Sequence, residues 1–140
     1  MNKKIVLGIL SIVVIASICI YIFMPEKIEG KSKNEIWKVE YTEVNNNTIG
    51  HGGIVSVEQL TEDKLDVKKI SFYKNHERLS EITNFMDKKD DIDGTVYTLN
   101  PFSYPDIYMG DAPDKHASYF VEIIWTNASG KKFTESINLK

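Results

Sequence analysis

His51, His76 and His116 are the only imidazoles of this chain, and Cys19 is its only thiol. Nucleophilic catalysis needs a Ser, Thr or Cys within hydrogen-bond reach of a base that a third group orients. No serine stands in a Gly-x-Ser-x-Gly elbow, and Cys19 lies deep in an apolar run. His51, between Gly50 and Gly52, reads as an exposed turn. His116 could join Asp111 and Asp114 as an acid-base or metal pair if their loop folds back, but a solvated loop histidine is the expected reading. No two histidines or cysteines have zinc-ligand spacing. Hydrolysis of a glycoside would need two carboxylates across a cleft, which a small sandwich scarcely offers. No catalytic residue is assigned, no cofactor is expected, and the chain is read as a non-enzyme.

Calcium is the more specific candidate. Asp91-Ile92-Asp93-Gly94 matches part of a Asp-x-Asp-x-Asp-Gly loop, in which alternate carboxylates face the ion and the glycine makes the turn. Aligning Gly94 with that glycine puts Lys89 at the first ligand and Asn100 at the bidentate one, so two strong ligands are missing. The expectation is a solvated acidic turn, with Asp87, Asp90, Asp91 and Asp93 as the calcium candidates.

A third constellation suits recognition rather than catalysis. Pro101 to Gly110 reads as a proline-stiffened loop carrying Phe102, Tyr104, Tyr108 and Met109. Such side chains are strong contact anchors when exposed. Either they plug one end of the fold, or they form a partner-binding loop; the four are the candidate contact residues.

The elements that must position these groups follow from charge and periodicity. Ile5 to Met24 contains no charged residue, and twenty helical residues span about 30 Å, the thickness of a bilayer's hydrocarbon core. The run is longer than a secretory signal's apolar region and lacks a small-x-small cleavage site, so an uncleaved anchor is expected over residues 1–24. Lys3 and Lys4 before the run favour a cytoplasmic N-terminus, although Lys27, Lys31, Lys33 and Lys38 follow it closely. The expected location is the cell membrane, single-pass, with the rest of the chain extracytoplasmic. That remainder holds all 20 Asp and Glu but 15 of the 17 Lys and Arg, a net charge near -5, which argues against nucleic acid as a partner.

Residues 25–35, with Pro25 and Gly30, read as a tether, and 36–140 as one domain. Trp37, Val39 and Tyr41 alternate with polar residues, the mark of a half-buried strand. Val55 and Val57 share a face in the next strand. From Leu65 to Tyr73 the apolar parity changes, which predicts a bulge near Lys68-Lys69. Leu79, Ile82, Phe85 and Met86 are spaced as on one face of a short helix. Thr95 to Asn100 reads as a short strand that Pro101 stops. Tyr119 to Trp125 and Lys132 to Leu139 form a hairpin about Asn127 to Gly130. The sum is an all-β, antiparallel, immunoglobulin-like sandwich of six to seven strands after one transmembrane helix.

Gly30-Lys31-Ser32-Lys33-Asn34-Glu35-Ile36-Trp37-Lys38-Val39-Glu40-Tyr41 resembles the Gly-x-Ser-x-Asn-Trp-x-Val-x-Tyr start of small exported β proteins of Bacillus-like low-GC bacteria, with two more residues before Trp37. Val121 to Trp125 and Glu135 to Leu139 are similar to their closing hairpin. Lysine outnumbers arginine sixteen to one, a usage of the same kind of genome. The resemblance implies membrane or lipid anchoring and no assigned activity. The expected role is a non-catalytic, membrane-anchored interaction or accessory protein whose partner is another membrane or cell-envelope protein or a peptide. Its alternatives are an immunity factor against a toxin or peptide, and a calcium- or small-ligand-binding domain.

Overall fold

The computed structural model describes residues 3–46, 50–85 and 96–140. One helix, α1 (Lys3–Phe23), precedes nine strands: β1 (Lys27–Lys31), β2 (Trp37–Asn46), β3 (Gly50–Gln59), β4 (Leu65–Lys74), β5 (Glu77–Ile82), β6 (Thr98–Leu99), β7 (Phe102–Met109), β8 (Tyr119–Asn127) and β9 (Lys132–Leu139). Helix α1 is long and apolar enough to cross a membrane, and none of its residues is buried against the rest of the chain.

The strands form two antiparallel sheets, β1-β2-β3-β7-β6 and β5-β4-β8-β9. Alternation explains how they pack. Trp37, Val39 and Tyr41 of β2 and Val55 and Val57 of β3 turn the same way and are buried, as are Tyr119, Val121, Ile123 and Trp125 of β8. Rings join the sheets face to face: Trp37 meets Trp125 edge-on at 5.4 Å, and Tyr41 meets Phe72 of β4 and Tyr119 of β8 at 5.1 and 5.3 Å. The Trp37 indole nitrogen is buried without a hydrogen-bond partner among the described residues, on a ring that makes edge contacts with Phe102 and Trp125.

Two bulges keep the apolar residues inward. In β4 the register against β8 shifts between Val67 and Lys69, where the parity change predicted it, so Val67 and Ile70 both reach the core. In β7, Val57 pairs with Tyr104 but Val55 pairs with Ile107, so Pro105-Asp106 stands opposite Ser56. Proline is tolerated at such a bulge because no ladder hydrogen bond is asked of its nitrogen.

The structure corrects four expectations. Among the described residues nine strands replace six to seven, because three short or irregular ones carry little periodic signal. The supposed tether contains β1, which pairs with β2 from Lys27↔Thr42 to Lys31↔Lys38. The supposed helical face of Leu79, Ile82 and Phe85 belongs instead to β5 and the chain just after it; Met86 lies outside the described residues. The supposed loop after Pro101 is β7 as far as Met109. The β4–β5 turn, Asn75-His76, has positive φ at both residues (48° and 68°), the requirement of a tight hairpin of matching twist.

One side of the two-sheet stack is joined by backbone hydrogen bonds and the other is not. Glu29 of β1 exchanges two 3.0 Å backbone hydrogen bonds with Lys140, just beyond β9. Gly30 makes this approach possible, because a Cβ there would collide with the Asn138 carbonyl. On the opposite side β5 and β6 are the sheet edges.

Candidate functional site

The strand directions divide the β domain into two ends. Helix α1 enters at one of them. Only Met24, Pro25 and Glu26 separate Phe23 from β1. Glu26 is itself held: its amide donates to the Glu43 carboxylate at 3.1 Å, its carbonyl accepts from the Glu43 amide at 2.7 Å, and its carboxylate meets Lys115 at 2.8 Å. Glu26 holds the Lys115 ammonium above the ordinary lysine value. The Tyr41 hydroxyl donates to the Asp111 carbonyl and so fastens the β7–β8 loop to β2, while burial pushes the phenol's pKa well up.

All three histidines fall at this helix end: His51 in the β2–β3 hairpin, His76 in the β4–β5 turn and His116 in the β7–β8 loop. They sit on three separate segments, His51 within β3 itself and paired with Asn45, and all are exposed. His51 lies 3.8 Å from Glu43, and the His116 amide donates to the Asp114 carboxylate at 2.9 Å, a contact of its backbone rather than its imidazole. Among the described residues no three His, Cys, Asp or Glu side chains gather as metal ligands. The calcium candidates Asp87, Asp90, Asp91 and Asp93 lie outside the described residues.

The four proposed contact residues divide. Phe102, Tyr104 and Met109 are buried in the core, Phe102 stacked on Tyr104 at 5.3 Å with Phe85 edge-on to both. These three serve the fold. Tyr108 alone is half exposed, at 50%. It turns outward near the helix end, over Gly52, where a Cβ would come within 3.0 Å of its ring and hydroxyl.

The two larger concavities lie at the far end; a smaller one, of about 190 Å³, lies at the helix end beside Tyr41, Met109 and Asp111. Two open clefts, of about 770 and 500 Å³, share Lys64, Leu65, Asn127 and Ala128 as lining. The larger extends to Phe85, Asn100 and Phe102, the smaller to Asn34, Ile36 and Phe133. Their walls are built by side-chain clips. Gln59, nearly fully buried, donates through Nε2 to the carbonyls of Thr61 and Asp63 at 2.9 and 2.7 Å and accepts from the Phe102 amide at 3.1 Å. Asn127 Oδ1 accepts from the amides of Ser129 and Lys131 at 3.1 and 3.0 Å, which shapes the hairpin turn. Ser32 Oγ accepts from the Trp37 amide and donates to Asn34 Oδ1, at 2.9 and 2.6 Å. The residues that carry the sequence resemblance, Gly30, Ser32, Asn34, Trp37, Val39 and Tyr41, therefore make the seam, the first turn and the core. The sequence reading missed the shared lining residues. Their only signal is that they flank two turns, which the pairing Leu65↔Asn127 brings side by side.

No protein-family model, no curated protein and no solved structure matches this chain.

Proposed function

We propose that this chain is a membrane-anchored, extracytoplasmic interaction module without catalytic activity. In this reading α1 crosses the cell membrane with its N-terminus in the cytoplasm. The β domain, immunoglobulin-like in plan, stands outside, and its far end receives a protein or peptide of the cell envelope. One observation carries the reading: the helix that can enter a membrane and the two adjoining clefts lie at opposite ends of the same strands. Strand β8, nine residues long, sets them about 30 Å apart. The combination of apolar floor and polar rim at the clefts suits a partner's side chain entering between turns. The likeness of the first strands to small exported β proteins of low-GC bacteria supports the location.

The test is photocrosslinking in intact cells, with the crosslinking residue at Ala128 in one variant and at Asn75 in another. The expected result is capture of a discrete envelope protein or peptide from Ala128 and none from Asn75. Equal capture from both, or capture from Asn75 alone, would overturn the assignment of the far end. Protease added to whole cells is expected to remove the β domain; full protection would reverse the orientation.

A further inference from the structure

We propose that the helix end of the β domain rests on the phospholipid headgroup layer, with Tyr108 and Lys115 as its contacts. This rests on the reading of α1 as a membrane-spanning helix. The polar layer on each side of a bilayer is about 5–7 Å thick. Glu26 is bonded on both backbone sides to Glu43 and through its carboxylate to Lys115, so the free junction after Phe23 is Met24 and Pro25. Two residues reach at most about 7 Å. The domain therefore begins inside the headgroup layer or at its outer boundary, and its rim has no slack with which to stand away.

Chemistry points the same way. Tyr21, 79% exposed in the last turn of α1, and Tyr108, 50% exposed on β7, are amphipathic rings of the kind enriched at membrane interfaces. Gly52, having no Cβ, lets the Tyr108 ring lie close along β3. Lys115 can lay its methylene stem along the interface and keep its ammonium in the phosphate layer. Acidic groups share this rim, among them Glu43, Asp111 and Asp114, so bulk positive charge does not drive the contact. The docking should then need no anionic lipid.

The full chain, carrying Cys19→Ser to remove its only thiol, would be reconstituted in phosphatidylcholine vesicles containing a headgroup-attached quencher. Single cysteines labelled with a fluorophore would replace Tyr21, His116 and Ala128 in turn. The His116→Cys label is expected to be quenched at least about threefold more than Ala128→Cys, because quenching decays over a distance shorter than the strands. Adding Tyr108→Ser should reduce the His116→Cys signal, and added anionic lipid should change it little. Quenching at Tyr21→Cys with none above the Ala128→Cys level at His116→Cys would overturn the docking while leaving the anchor intact. No quenching at Tyr21→Cys would overturn the anchor, and the docking with it.

Discussion

The two sides of the β stack are closed by different means. Along β1 and the end of β9 the main chains themselves meet, with Gly30 supplying the clearance and Glu29 and Lys140 the hydrogen bonds. Along β5 and β6 the side is closed by rings: Phe85, in the chain just after β5, meets Phe102 and Tyr104 of β7, and Tyr97 meets Tyr104, at centroid distances from 4.6 to 5.3 Å. A backbone seam is local and geometric, and fails when one atom is added. A ring cluster is a matter of volume, and fails when atoms are removed. The side closed by rings is also the side that leaves the larger cleft, so this comparison concerns the candidate site as well as stability.

Breaking the ring side should have the largest effect. Phe102→Ala deletes a fully buried ring and is expected to cost about 3–5 kcal/mol, read by denaturant melts, with β5 and β7 amides losing hydrogen-exchange protection before those of β1. Loss confined to β1 would show that the two sides are not separable. Gly30→Leu attacks the other side. Its added side chain drives against Asn138 and should cost about 2–3 kcal/mol, with exchange rising first at Glu29 and Lys140. A variant as stable as the parent would mean that the seam is dispensable.

Gln59→Leu acts at the far end. It leaves the buried Phe102 amide and two turn carbonyls without their partner, an expected loss of about 1–2 kcal/mol with the helix end unaffected. The smallest effect is expected at Glu40 on the backbone-sealed side. There the carboxylate faces Glu29 across the β1–β2 pair and is neutralised by Lys27 and Lys38, at 2.8 and 2.5 Å. Hydrogen bonds from these lysines lower its pKa from 4.5 to about 2. The unfolded chain then binds the proton first, so this contribution is complete above pH 4.5 and is lost as pH falls toward 2. Glu40→Gln should flatten that acid limb of the melting curve while changing stability at neutral pH by less than about 1 kcal/mol.

What could be read from the residues follows the same division. Strands that alternate cleanly, such as Trp37 to Tyr41 and Tyr119 to Trp125, were read correctly because one face is buried along their whole length. The β4 bulge was readable because Leu65, Val67, Ile70 and Phe72 record the slip in their own parity. β7 hides the same device behind Pro105: Phe102 and Tyr104 share one parity, Ile107 and Met109 the other, and the proline between them reads as a loop. β1 and β5 lie at sheet edges, where no residue is fully buried and too few apolar ones alternate to show a period. The candidate contact residues were ambiguous for a related reason. Large apolar side chains look alike as core and as anchor, and only the register separates Tyr108 from the other three. The cleft lining was beyond reach because it depends on which turns become neighbours, a property of strand order.

The three-residue passage from α1 to β1 has a consequence for how a partner could be met. A binding end on a long flexible stalk sweeps a hemisphere and can intercept molecules approaching from any height. On the proposed reading of α1 as a span, so short a junction to a stiff sheet would keep the far end near one altitude, and the search for a partner would become lateral diffusion in a thin layer. Encounter frequency would then depend on how crowded that layer is, and anything that never descends to it would pass unread.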